Sequence, residues 1–243
     1  MEYILIIGAN SDIAKEIAIK YIKNGYNLYL AARNSINLNS FASDLSIRYD
    51  KNVELIDLDI LDFSSHQNIY KSINIKPLGL IFVVGYLGEQ ELAESNFIET
   101  KKIIDTNYTG PVSLINIVSN DFEKRKSGFI IGISSVAGDR GRKSNFIYGS
   151  AKSAFTTYLS GLRNRLYASN IHVLTVKPGF VSTKMTKDLN LPKKLTADPK
   201  DVANDIFKSQ QSKKNILYTG WYWRWIMLII KTIPEFQFKK MSI

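Results

Sequence analysis

The chain predicts an α/β fold, a doubly wound and mostly parallel sheet in three αβα layers, carrying a Trp-rich C-terminal extension. Two observations lead there. Short apolar runs alternate with segments whose apolar residues recur at helical spacing. The fourth of those runs, Leu78–Val84, is apolar throughout, as a strand covered on both faces must be.

Taken in order, Tyr3–Ile7 is a short apolar strand. Residues 12–23 place Ile13, Ile17, Ala18, Tyr21 and Ile22 on one helical face, and Gly25 supplies a C-terminal stop. Tyr26–Ala32 and Val53–Leu58 are the second and third strands, Leu78–Val84 the fourth. Phe129–Ile133 and Ile171–Lys177 continue the series. Helical patterns occupy about 39–49, 64–74, 95–122, 145–168 and 198–210. Strands alternating with helices build a parallel sheet whose ligand lies at the carboxyl ends of the strands. Residues 1–220 form that ligand-binding unit, and 221–243 form an amphipathic extension.

The composition narrows the function. With no Cys, the chain has no disulfide, thiol nucleophile or thiolate metal site, which fits a reducing, cytoplasmic setting. The start, Met-Glu followed by Tyr3–Ile7, lacks the basic region and long apolar run of a signal peptide. No stretch reaches the roughly 18 apolar residues of a membrane span. The net charge is +10, unevenly placed. Residues 1–123 hold 10 basic and 16 acidic side chains; residues 124–243 hold 22 and 6. The second half therefore favours an anionic partner. Its basic residues are dispersed and form no nucleic-acid module, so nucleic acid is not the expected one. His66 and His172 sit near no cluster that would bind metal, and both read as structural.

The first strand runs into Gly8-Ala-Asn10-Ser11-Asp12-Ile13-Ala14 and then a helix. A helix start after a tight turn offers free N–H groups and a positive dipole end to a pyrophosphate. The usual three glycines are reduced to Gly8, with Asp12 and Ala14 at the other spacings. Asp12 would repel a phosphate, and serves instead as a helix cap. Arg33 ends the second strand where NAD-preferring proteins carry an acid, so NADP(H) is preferred over NAD(H). Asp59 follows the third strand, placed for an adenine amino group or for capping the next turn.

The catalytic signal is Gly132-Ile-Ser-Ser135-Val-Ala-Gly138 followed by Tyr148-Gly-Ser-Ala-Lys152. Four residues is one helical turn, so Tyr148 and Lys152 share a face. A neighbouring ammonium lowers a phenol's pKa and makes it a usable proton donor. Ser135, at a strand end, is placed to hydrogen-bond a substrate oxygen.

These residues resemble the short-chain dehydrogenase/reductase family, as do Thr106-Asn107-Tyr-Thr-Gly-Pro111 and Pro178-Gly179-Phe-Val181-Ser-Thr183. The resemblance spans nearly the whole chain. It implies a Rossmann fold and an NAD(P)-dependent oxidoreductase. Tyr148 would be general acid, and Lys152 would lower its pKa and hold the nicotinamide ribose. Ser135 would polarise the carbonyl, and Asn107 would hold a relay water. Pro178, Gly179, Val181 and Thr183 would meet the nicotinamide end, and Gly85 lies in Phe82-Val-Val-Gly85 where the family carries Asn-Asn-Ala-Gly.

Within the family, the Ser-Asp-Ile-Ala turn, Ser134–Tyr148 and the tail through Pro234-Glu-Phe resemble decaprenylphosphoryl-2-keto-ribose reductases of polysaccharide biosynthesis. That implies a 2-keto sugar on a polyprenyl phosphate and an oxidase partner in a two-step epimerisation. Independently of the resemblance, Arg140, Arg142 and Lys143 lie on the loop between Ser135 and Tyr148, where a basic cluster is placed to grip a phosphate. The family resemblance also implies a homodimer or homotetramer. In the tail, Trp221, Trp225 and Ile229 share one face and Trp223, Met227 and Ile230 another. The segment either rests peripherally on a membrane or buries itself against the domain or a sister subunit. Two other functions remain open: a soluble reductase of acyl, steroid-like or xenobiotic ketones, and a non-catalytic scaffold.

Overall fold

The computed structural model describes residues 1–187 and 190–241. Seven strands form one parallel sheet: β1 (Tyr3–Ile7), β2 (Asn27–Ala32), β3 (Val53–Asp57), β4 (Gly79–Phe82), β5 (Phe129–Ile133), β6 (His172–Pro178) and β9 (Ile216–Thr219). Their order is β3-β2-β1-β4-β5-β6-β9. The chain winds outward from β1 to β3 and returns to the other side of β1 with β4, so a crevice opens where these two strands diverge. A two-residue pair, β7 (Phe180–Val181) and β8 (Thr196–Ala197), lies beyond β6.

Alternation along β1 and β2 explains the two covered faces. Ile4, Ile6, Leu28 and Leu30 point into one core, with α1 (Asp12–Lys23), α2 (Asn39–Tyr49) and α8 (Pro199–Gln211). Tyr3, Leu5, Ile7, Tyr29 and Ala31 point into the other, with α3 (His66–Ser72), α6 (Gly110–Arg125) and α7 (Phe146–Leu166). Every residue of both strands is buried.

One expectation is corrected. The helical pattern over 95–122 is three pieces: the end of α4 (Gln90–Ser95), α5 (Phe97–Ile104), and α6 after a π-helical turn at Asp105–Thr109. Pro111 sits in the first turn of α6, where its missing N–H is harmless. The extra residue of the π turn swings Asn107 inward, fully buried. Strand β9 has no sequence signature, because Ile216-Leu-Tyr-Thr219 is too short to show periodicity. The β7–β8 pair likewise carries no legible pattern. Part of the tail takes the placement against the domain. Trp223 and Met227 of α9 (Tyr222–Thr232) are buried against Val136, Phe180, Leu195 and Tyr218, and α10 (Glu235–Phe238) follows.

Candidate active site

The carboxyl ends of β1, β4, β5 and β6 surround one cleft of about 740 Å³. At its dinucleotide end, Gly8 has φ +88°, a left-handed conformation glycine adopts freely. A Cβ there would lie 2.9 Å from the Val84 backbone nitrogen, so the absence of a side chain lets the first turn nest against β4's exit. Helix α1 starts at Ser11 without a side-chain cap, leaving its first N–H groups to be satisfied from the cleft. Asn10, Ser11, Asp12 and Ile13 all line it.

Asp12 does not cap its own helix. Its carboxylate accepts the backbone N–H of Lys184, 172 residues away, at 2.8 Å. It thereby ties the loop after β7 to the first turn. Asn10 donates to the Arg33 carbonyl at 3.1 Å and fixes the end of β2. Arg33, Asn34, Asp57 and Asp59 line the adjoining recess. Asp59 accepts the Leu61 N–H at 3.0 Å, so one oxygen shapes its turn while the residue still lines the cleft. Asp57 is an acid beside Arg33 that the sequence pattern did not single out. It accepts the Ser35 N–H at 3.4 Å.

At the other end, Ser135 leaves β5 and Tyr148 and Lys152 stand on the first turns of α7, all facing the cleft. The Ser135 hydroxyl oxygen accepts the Ala137 N–H at 3.1 Å, and its side chain lies near the Tyr148 phenol. Ser134 packs behind, donating to the Lys152 carbonyl at 3.0 Å and meeting Thr156 at 2.7 Å. The Lys152 ammonium donates to the Ile133 carbonyl at 3.1 Å and lies 5.7 Å from the Tyr148 ring centre.

The electrostatics differ from the sequence expectation. Burial pushes the Tyr148 phenol up to about 12, opposed by the Ser135 hydrogen bond. Burial pushes Lys152 down to about 7. Desolvation disfavours the charged form of each, and here it outweighs the attraction that the four-residue spacing suggests.

Asn107 is also placed differently. Its side-chain oxygen accepts the Tyr86 N–H at 3.2 Å, and its amide donates to the carbonyls of Tyr86 at 2.7 Å and Ile103 at 2.8 Å. The side chain clamps the segment after β4 and has no proton left for a water. Gly85 lies within this clamp: a Cβ on it would lie 3.5 Å from the Asn107 oxygen and 3.6 Å from the Lys152 ammonium.

Pro178, Gly179, Val181 and Thr183 line the cleft as they leave β6 and β7. A Cβ on Gly179 would lie 2.0 Å from the Trp223 indole, so the tail forms the outer support of this wall. Of the three basic loop residues, Arg142 faces the cleft, with its Nε buried and without a hydrogen-bond partner. Asn145 lines the same wall, its side-chain oxygen likewise unpartnered. Lys143 is exposed and lies outside the cleft lining. Arg140 is occupied elsewhere. It donates to the carbonyls of Ile230 (2.5 Å) and Ile233 (2.7 Å), pairs with Glu235 at 2.9 Å, and stacks 3.6 Å from the Phe238 ring centre. Lys102, Leu87 and Met185, which no sequence motif marks, also line the cleft.

Comparison with known proteins agrees with this geometry. The family model for short chain dehydrogenase matches residues 2–194. The chain belongs to the short-chain dehydrogenase family. It is an oxidoreductase of that family, and its relatives are consistent with this. An uncharacterized oxidoreductase of Mycobacterium tuberculosis (strain ATCC 25618 / H37Rv) is 29% identical over 241 residues, covering 98% of this chain and 96% of the relative. One from Streptomyces coelicolor is 28% identical over 245 residues, covering 99% and 96%. Among solved structures, a short-chain dehydrogenase from Sphingobium yanoikuyae in complex with NADPH superposes with TM-score 0.85 at 22% identity, covering 97% of both chains. The bulky-bulky ketone specific alcohol dehydrogenase from Comamonas testosteroni gives 0.82 at 22% identity, covering 97% and 96%. At such identity these two establish a shared fold.

Proposed function

We propose that this short-chain dehydrogenase is an NADPH-dependent reductase of a keto group, and that its substrate is a 2-keto sugar carried on a polyprenyl phosphate. The observation that carries the reductase reading is the meeting of Ser135, Tyr148 and Lys152 with an uncapped helix start in one cleft. The dinucleotide fits on this chain's own terms: the Gly8 turn, the free N–H groups of α1, and Arg33 at the edge for a 2′-phosphate. When bound it supplies the hydride.

The protein supplies position and a proton. Ser135 orients the substrate oxygen. Tyr148, protonated across the neutral range, donates its proton to that oxygen. Lys152, when charged, stabilises the phenolate left behind. Asn107 holds the segment carrying Gly85, and so keeps the floor beneath Lys152 in place.

The finer reading rests on the resemblance in the Ser134–Tyr148 loop and on Arg142 and Asn145. A buried guanidinium N–H and a buried amide oxygen, both unpartnered, suit an oxyanion and a sugar hydroxyl. An oxidase partner would supply the 2-keto group, in polysaccharide biosynthesis at the cytoplasmic side of the membrane. A second reading, a reductase of bulky water-soluble ketones, is favoured by the apolar wall of Leu87, Phe180 and Met185.

The experiment is NADPH oxidation with a 2-keto sugar on a polyprenyl phosphate and, separately, a neutral ketone, with NADH in parallel. Arg142→Ala should raise KM for the phosphorylated sugar about tenfold or more and leave the neutral ketone nearly unchanged. Turnover of the ketone alone would select the second reading. Equal loss on both would reject the role of Arg142.

A further inference from the structure

Helix α9 has two apolar stripes, and the domain uses one. Trp223 and Met227 are buried. On the opposite side Trp221, Trp225, Leu228 and Ile229 are 77%, 55%, 51% and 64% exposed, and Phe236 of α10 is 62% exposed. Scattered exposed apolar residues are ordinary, but an aromatic-rich stripe of this density on one short helix marks a contact surface.

The charge around the stripe selects the occupant. Between residues 221 and 243 the cations are Arg224, Lys231, Lys239 and Lys240, and the single acid is Glu235. Glu235 is already paired with Arg140 of the catalytic loop. A second copy meeting this surface about a two-fold axis would bring like charges together. An anionic lipid surface meets both features, since Trp seats at the headgroup level and Lys and Arg pair with lipid phosphates. Eleven helical residues span about 16 Å, so the helix lies along the bilayer rather than through it. Among the described residues no helix is long and apolar enough to cross a membrane.

The surface is mechanically joined to the site. Arg140 binds the carbonyls that end α9, and the sequence between Ser135 and Tyr148 contains it. Val136 and Phe180 line the cleft on one side and pack around Trp223 on the other. We infer that α9 and α10 form a platform that docks on an anionic membrane surface and holds the cleft beside it. This reading is independent of which ketone is reduced.

Full-length protein is sedimented with phosphatidylglycerol/phosphatidylcholine vesicles and with pure phosphatidylcholine vesicles. Wild type should bind the anionic vesicles and bind the neutral ones much less. The variant W221S/W225S/I229S should lower the bound-to-free ratio roughly tenfold or more, and K239Q/K240Q should lower it on anionic vesicles only. F97S/I98S, which alters an equally exposed pair on α5, should change nothing. NADPH binding by fluorescence and the circular dichroism spectrum should be unaltered in all, which separates docking from folding. Failure of wild type to bind anionic vesicles, or equal binding by the tail variant, overturns the inference. So does a wild-type dimer, seen by sedimentation velocity, that the tail variant dissociates without any vesicle binding.

Discussion

At the scale of single residues, the active site is governed by desolvation. Lys152 is buried, its ammonium donating to the Ile133 carbonyl, and burial holds it down to about 7. Tyr148 stays protonated up to about 12. Reduction needs the phenol's proton and the ammonium's charge together. Raising the pH through about 7 discharges Lys152 while Tyr148 keeps its proton, so kcat/KM for ketone reduction should fall on the alkaline side of about 7. A profile of wild type against Lys152→Arg, which stays charged, should show that limb disappear or move well upward; an identical limb would assign it to another group. Tyr148→Phe should lower kcat about 10²–10⁴-fold with dinucleotide affinity little changed, measured by stopped-flow oxidation and by fluorescence titration. At the adenosine end, Arg33→Ala should raise KM for NADPH and leave NADH nearly unaffected, which steady-state kinetics with both will show.

At the scale of elements, two loops at the cleft are held by fastenings that no motif announces. Asp139 pairs with Lys177, both nearly inaccessible, and accepts the Tyr218 hydroxyl at 2.8 Å. This joins the Ser135 loop to β6 and β9. Removing one partner strands a buried charge, so Asp139→Ala should destabilise by about 3–5 kcal/mol, seen as a lower urea midpoint. The double variant Asp139→Leu with Lys177→Met should recover much of that loss. The second fastening is Asp12 to the Lys184 N–H. Asp12→Ala should speed hydrogen exchange at the Lys184 amide, while Asp12→Asn, which keeps an acceptor, should not. Local patterns reveal which helices and strands exist, and six of the strands and the helix starting at Asp12 are legible within a residue or two. They do not reveal partners 172 residues apart, so Asp12 reads from sequence as a cap. The π turn is hidden for a related reason. Its residues keep an ordinary helical composition, and the extra residue matters only once Asn107 meets Tyr86.

At the scale of the whole molecule, the tail completes the site's outer wall rather than hanging from it. Trp223 touches Gly179 and stacks edge-on with Phe180 at 5.2 Å between ring centres. Trp223→Ala should cost about 3–5 kcal/mol in chemical unfolding and raise KM for the substrate, because the wall carrying Gly179 and Phe180 loses its backing.

The sequence by itself determined the parallel sheet, the family and the set Ser135, Tyr148 and Lys152. The sheet follows from local periodicity and the shared face of Tyr148 and Lys152 from one helical turn, while the family is carried by the resemblance of the motifs. The tertiary structure alone decided which of the candidate side chains are available. It assigned Arg142 to the cleft and Arg140 to the tail, gave the Asn107 amide to the Tyr86 backbone, and divided α9 into a buried stripe and an exposed one. The reason is physical. Spacing along a chain sets which way a side chain leaves its own element, but hydrogen-bond partners and loss of water depend on elements that are distant in sequence and meet only when the chain has folded.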